Sequence, residues 1–209
     1  MPANYDKIAT VYDLLSRIVF GKSIVNAQVS LLKCLPAGEY RLLIVGGGTG
    51  WILEELAKQR PQGLTIDYVE ASAKMIELSK NRGCATNTVN FICLPIESFE
   101  SGHLYNVIIT PFVLDNFDEQ KLEQVFYKLD ALVADGGTWL YADFVYSKET
   151  SPGWQKLLLK IMYFFFRIST KIETGELVAT EKLFEKSYRK KMEAGFYFNF
   201  IKAIAYKKL

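Results

Sequence analysis

Leu42-Leu43-Ile44-Val45-Gly46-Gly47-Gly48-Thr49-Gly50-Trp51-Ile52-Leu53 runs from an apolar stretch through four glycines into a different periodicity. A short apolar run bounded by glycine reads as a buried strand, here Arg41–Val45. Beyond it Ile52, Leu53, Leu56 and Ala57 recur at helical spacing, so Trp51–Gln59 reads as a helix. Glycine at such a turn lets the chain bend tightly and lets a ligand approach with no Cβ in the way. The helix amino terminus behind it favours an anionic group. The spacing excludes two familiar loops. In G-x-G-x-x-G the third position would be Trp51 or Leu53, too bulky for close helix–strand contact. That argues against a nicotinamide oxidoreductase. No Gly-Lys-Ser/Thr follows, so the Walker pattern fails as well. Gly46-x-Gly48-x-Gly50 remains.

Outward from this turn, strands and helices alternate. Leu64–Val69, Val89–Cys93, Tyr105–Thr110 and Thr138–Phe144 read as strands. Ser72–Asn81 reads as a helix with Ser72 as its N-cap. Asp118–Ala134 is an amphipathic helix with Leu122, Val125, Phe126, Leu129 and Leu132 on one face, ended by Asp135-Gly136-Gly137. Two helical patterns, Asn4–Ser16 and Ile24–Cys34, precede the first strand and stop at Leu35-Pro36-Ala37-Gly38. This alternation predicts right-handed crossovers and a mostly parallel sheet covered on both faces. After Phe144 the pattern gives a helix over Pro152–Thr170, another over Glu181–Ala194 and one terminal strand, Phe196–Lys208. Lys186, Arg189, Lys190 and Lys191 then lie on a solvated helix face.

Composition bounds the class. The 209 residues are 50% hydrophobic and 23% charged, which excludes a disordered chain. A formal charge of +2 carries no bias toward nucleic acid. Cys34, Cys84 and Cys93 are an odd number without a C-x-x-C pair, so neither a disulfide scaffold nor a zinc site is expected. Reduced thiols and an amino terminus unlike a signal peptide point to the cytoplasm. The longest apolar stretch, Leu157–Ile168, is interrupted by Lys160 and Arg167 and is too short to span a bilayer.

On these residues the glycine segment resembles motif I of class I S-adenosylmethionine-dependent methyltransferases. Val69-Glu70-Ala71-Ser72-Ala73-Lys74-Met75 is similar to the family's acidic-x-Ser-x-x-Met segment. Leu132–Leu140 is similar to its helix end, Gly-Gly turn and fifth strand, and Tyr105–Ile109 with Leu114 to its fourth strand. Tyr5–Ser16 is similar to the opening of ubiquinone and menaquinone biosynthesis methyltransferases. The resemblance implies a Rossmann-like α/β fold, a mostly parallel twisted sheet with helices on both faces and an antiparallel carboxyl-terminal strand. It implies a single domain over 1–209: a helical lid at 1–38, a cofactor-binding core at 39–146, and substrate-side helices with the terminal strand at 147–209. It implies S-adenosylmethionine as cofactor, with Gly46, Gly47, Gly48, Thr49 and Gly50 around its amino-acid end and Tyr12 nearby. Glu70 would take the ribose hydroxyls, flanked by Ala71, Ser72 and Met75. Leu94, Pro95 and Ile96 would meet adenine, and Thr110, Pro111 and Phe112 would close the site after the fourth strand.

Two departures from the family pattern stand out. Ile44 replaces the usual acidic residue before the first glycine, and Pro95 replaces an Asp after the third strand. Adenine is then read by backbone groups around Leu94–Ile96 or by Glu97, and each lost charge-assisted hydrogen bond weakens the site by roughly 1.5–3 kcal/mol. No catalytic base is assigned. His103, the one histidine, precedes the fourth strand and so lies at the sheet edge opposite the ligand. Asp115, Asn116 and Asp143 fall on the ligand's edge. Tyr163-Phe164-Phe165-Phe166 puts rings around most of a helix: a core contact, an apolar acceptor pocket or a dimer contact. The expected activity is methyl transfer to a small lipophilic or aromatic molecule by a monomer or homodimer, with no metal, nucleic acid or membrane span. The alternative is a non-catalytic protein that binds the cofactor or a related nucleoside.

Overall fold

The computed structural model describes residues 17–146, 151–170, 177–178 and 180–209, with the backbone alone over 163–170. Strand β1 (Tyr40–Val45) is buried on both faces. Successive side chains of a strand point to opposite sides. Leu42 and Ile44 therefore join one core and Leu43 and Val45 the other. The same logic sets β2 (Leu64–Val69), β3 (Thr88–Ile92), β4 (Tyr105–Pro111) and β5 (Val133–Phe144) beside it. These five run parallel, and two further strands, β6 (Tyr188–Phe196) and β7 (Ile201–Lys208), complete the order β3-β2-β1-β4-β5-β7-β6. β7 is antiparallel to both of its neighbours.

Helices cover the two faces. α1 (Ser23–Leu32) and α2 (Trp51–Gln59) send Ala27, Leu31, Leu32, Ile52, Leu53 and Leu56 into the first core. α3 (Ala73–Ser79) adds Ile76, and α5 (Gly153–Thr170) adds Leu159. On the other face α4 (Glu119–Leu132) buries Leu122, Val125, Phe126 and Leu129, beside Phe184 of the short α6 (Glu181–Phe184). Ser72 and Asp118 cap α3 and α4 by accepting from the amides of Met75 and Lys121. The strand order reverses between β1 and β4, and ligands of open α/β sheets bind outside the carboxyl ends at such a point.

The carboxyl-terminal third differs from the sequence reading. Glu181–Ala194 is not one helix: α6 stops at Phe184 and β6 begins at Tyr188. Two strands therefore fit where one was expected, and the terminal strand starts at Ile201 instead of Phe196. Met192, Ala194 and Phe196 alternate with exposed Glu193 and Gly195, a period of two. A register shift between Lys190 and Met192 hides that period in the sequence. Arg189, Lys190 and Lys191 thus lie on an edge strand, where charge also blocks further pairing. Lys190 and Lys202 are held by Glu181 and Glu193 at 2.8–3.0 Å.

Below the sheet's amino-terminal half, the Tyr105 hydroxyl donates to Asp67 Oδ2 at 2.6 Å, and Asn90 Nδ2 donates to Asp67 Oδ1 at 2.8 Å. Tyr105 and Asp67 are both buried. Tyr105→Phe removes a donor to a buried carboxylate and is expected to cost about 1.5–3 kcal/mol. Urea unfolding should show a lower midpoint with an unchanged slope.

Candidate active site

The turn between β1 and α2 is built from residues that only glycine satisfies. Gly46, Gly48 and Gly50 all have positive φ, at 67°, 62° and 81°. A Cβ on Gly47 would lie 2.4 Å from the Tyr68 hydroxyl, and one on Gly50 would lie 2.8 Å from the Ser79 Cα. A Cβ on Gly48 would meet Met75 Sδ at 3.7 Å, an ordinary contact, so there the backbone conformation and not crowding selects glycine. The turn is also pinned by hydrogen bonds. Gly46 N donates to Val69 O at 2.8 Å, the Tyr68 hydroxyl donates to Gly48 O at 3.0 Å, and Arg82 Nε donates to Thr49 O at 3.0 Å. Thr49 and Gly50 are buried under this lattice.

Glu70 follows β2 and is 6% exposed, a carboxylate out of water. Burial of that kind requires donors. Gly48 N donates to its Oε2 at 3.1 Å and Ser72 N to its Oε1 at 2.9 Å. Glu70 thereby ties the glycine turn to the start of α3. Ala71 is exposed beside it, and Ser72 and Met75 are buried.

The remaining expected site residues line the same edge. Leu94 is exposed, Pro95 half-buried and Ile96 buried at the start of a single helical turn, Ile96–Ser98. Glu97 is exposed and its carbonyl accepts from Lys128 Nζ at 2.7 Å. Thr110, the last residue but one of β4, is fully buried, its hydroxyl accepting from Trp139 Nε1 at 2.9 Å. Only its backbone therefore faces the edge. Phe112 is left-handed, with φ of 57°, and its ring lies 5.1 Å from that of Phe144. Phe144 in turn meets Phe20 at 5.1 Å, so aromatic rings floor the edge beside β4 and β5. Tyr12 lies outside the described residues, and so do the side chains of Tyr163–Phe166. His103 is exposed at the amino-terminal side of β4. Among the described residues no group of three or more His, Cys, Asp or Glu side chains is placed to hold a metal.

Three supports of this site are absent from the sequence reading. Val113 packs over Gly46, where a Cβ would come within 2.2 Å of its Cγ2. Tyr68 sits under Gly47 and Gly48. Its place two residues before Glu70 puts both on one strand face, a signal available in the sequence. Arg82 reaches the loop from beyond α3, and no local pattern announces that.

Asp115 and Asp143 form a carboxyl pair at the same edge. Asp115 N donates to Asp143 Oδ2 at 3.2 Å and Phe144 N to Asp143 Oδ1 at 3.0 Å. Burial pushes both carboxyls upward, Asp115 to about 6 and Asp143 well above its usual range, where the Asp115 charge adds to the effect. A carboxyl raised in the folded state stabilises the fold below its unfolded pKa and loses that contribution as pH rises. Thermal stability is therefore expected to fall between about pH 4 and 6, at roughly 2–4 °C per kcal/mol. Asp115→Asn should flatten this slope, because the amide donates to Asp143 at every pH. Calorimetric scans across that range check the sign.

The fold is that of Rossmann-like methyltransferases, and residues 43–139 match the profile of a methyltransferase domain. The chain is 32% identical over 117 residues to the ubiquinone/menaquinone biosynthesis C-methyltransferase of Geotalea daltonii, covering 54% of this chain and 46% of that one. The chain thus spans about half the length of that relative. A carboxy-S-adenosyl-L-methionine synthase of Nautilia profundicola is 25% identical, over 91% of this chain and 85% of its own length. Among solved structures, the N-methyltransferase NodS of Bradyrhizobium japonicum with bound S-adenosyl-L-homocysteine superposes with a TM-score of 0.63 at 12% identity, covering 88% of this chain and 86% of that one. Magnesium protoporphyrin IX methyltransferase of Synechocystis with the same ligand gives 0.62 at 14% identity, covering 90% and 83%.

Proposed function

We propose that this chain binds S-adenosylmethionine across the carboxyl ends of β1, β2 and β4 and directs its methyl group to a small lipophilic or aromatic acceptor. The buried Glu70 carboxylate, held against the glycine turn by Gly48 N and Ser72 N, carries the reading. Residues of this kind suit the cofactor's two ends. The start of the nine-residue α2 suits a carboxylate, and a carboxylate such as Glu70 suits a pair of vicinal hydroxyls. Leu94–Ile96 would line the adenine by backbone groups, with Ala71, Ser72 and Met75 beside it and the Thr110–Phe112 backbone opposite. When bound, S-adenosylmethionine supplies a methyl group activated on a sulfonium.

The chain's own part is then to hold, orient and exclude water. Orientation alone can contribute up to about 7–11 kcal/mol of acceleration. The Phe20, Phe112 and Phe144 rings favour an apolar acceptor at the edge and keep water from it. A base is needed only where the acceptor must lose a proton.

Titration calorimetry of the intact chain with S-adenosylmethionine and S-adenosylhomocysteine tests the binding step. Micromolar affinity for both is expected, and millimolar or absent binding would overturn the proposal. The near-full-length likeness to a carboxy-S-adenosyl-L-methionine synthase favours a second reading, in which the bound sulfonium is itself the group modified. Mass spectrometry of the nucleoside product separates the two: S-adenosylhomocysteine for methyl transfer, a carboxylated sulfonium for the other. Binding without turnover of any acceptor would instead mark a non-catalytic binder, as the Ile44 and Pro95 departures allow.

A further inference from the structure

Next to the aromatic rings of the candidate site, which reach Trp154 through Phe200, α5 breaks the usual rule for a surface helix. One apolar stripe suffices to seat a helix on a core. α5 has two. Leu158, Leu159 and Met162 face the first core, whereas Trp154, Leu157 and Ile161, at helical spacing on the other side, are 41%, 60% and 56% exposed. The turn between β6 and β7 extends this outer stripe. Phe198 is 81% exposed and its ring lies 5.7 Å from Trp154, with Tyr197 5.8 Å from the same indole.

That turn is held in an unfavourable shape. Tyr197, Phe198 and Asn199 are all left-handed, with φ of 48°, 57° and 60°. Non-glycine residues there are strained and persist only where surroundings dictate them. Here buried Gln155 donates to Phe198 O at 3.1 Å, and the Tyr197 hydroxyl donates to Val19 O at 2.9 Å. The anchoring holds Phe198 outward. Beside Val19, Ile18 is also 71% exposed, so three separate segments bring large apolar side chains to one surface.

Charge distinguishes this surface from the rest. The whole chain has 25 basic and 23 acidic residues. Yet residues 17–38, 151–170 and 194–202 contain no Asp or Glu. The exposed cations Arg17, Lys22, Lys156 and Lys160 belong to these segments. A two-fold dimer through this patch would bring two copies of the same acid-free segments together, with no carboxylate in them to pair the cations. An anionic surface pairs them instead. Exposed Trp and Phe set among cations, with no neighbouring acid in these segments, match what an anionic lipid interface takes up.

We propose that the Trp154–Leu157–Ile161 stripe, the Phe198 turn and Ile18 form a docking surface for an anionic phospholipid bilayer, on which the chain lies without crossing. Among the described residues no helix is long and apolar enough to cross a membrane. Each Lys or Arg near such a surface strengthens partitioning about fivefold, and salt weakens the effect.

The test is flotation of the intact protein with vesicles of phosphatidylcholine alone or mixed with phosphatidylglycerol. Co-flotation with the mixed vesicles, falling at least tenfold for Lys156→Glu/Lys160→Glu and for Trp154→Ser/Phe198→Ser and weakening in high salt, supports the proposal. Absence of flotation, or equal recovery with neutral vesicles, overturns it. So does sedimentation showing a dimer that Trp154→Ser/Phe198→Ser dissolves, which would assign the patch to a second copy. Both double variants should bind S-adenosylhomocysteine as the parent does, which shows that they fold. Cofactor binding can fail independently of this outcome.

Discussion

Gly50→Ala is expected to lower the thermal midpoint by about 5–15 °C. Two effects add at this position. A left-handed backbone costs a residue with a Cβ roughly 1–2 kcal/mol, and Gly50 has φ of 81°. The new Cβ would also meet Ser79 Cβ at 2.5 Å and its Cα at 2.8 Å, and backbone cannot swing aside as a flexible side chain can. Overpacking of that kind costs about 1–3 kcal/mol. The total of roughly 2–5 kcal/mol is a large part of an ordinary domain's stability. At about 2–4 °C per kcal/mol it gives the stated fall. Gly136→Ala is the control, because Gly136 has φ of 61° with nothing within 4 Å of the added carbon. It should show the backbone cost alone. Equal shifts in the two variants would mean that α3 yields to Gly50, and the close packing inferred here would be wrong.

Glu70→Ala should weaken S-adenosylmethionine and S-adenosylhomocysteine binding by tenfold or more, the loss expected for hydrogen bonds to a charged group, about 1.5–3 kcal/mol. The variant also strips Gly48 N and Ser72 N of their acceptor, so the loop and the start of α3 lose a shared anchor. Glu70→Gln is expected to do little better. Its amide would place a donor against one of two backbone donors. Glu77→Ala, an exposed position on α3 whose carboxylate pairs with Lys74, serves as the control and should bind as the parent does. Unchanged affinity in Glu70→Ala would contradict a ribose role, whatever the fate of the glycine loop.

Much of the architecture was legible because it rests on local rules. The five parallel strands, Ser72 as a cap and the glycine turn each follow from a few adjacent residues. The last two strands were not legible. Arg189-Lys190-Lys191 reads as a solvated helix face until β7 supplies a partner for the strand and Glu181 one for Lys190. The candidate site divides the same way. Gly46–Gly50 and Glu70 stand out in the sequence, whereas Val113 and Arg82 act across distances that no spacing encodes.

Sequence alone settled that a strand runs into a glycine turn at residues 45–50 and that a carboxylate follows the next strand, because backbone strain and hydrophobic period are local properties. Tertiary structure alone decided that Glu70 reaches back to Gly48, that Asp115 and Asp143 are buried side by side with both carboxyls raised, and that one helix keeps an apolar face toward solvent. Each of these depends on which distant groups burial brings together, and burial is a property of the assembled sheet and not of any single segment.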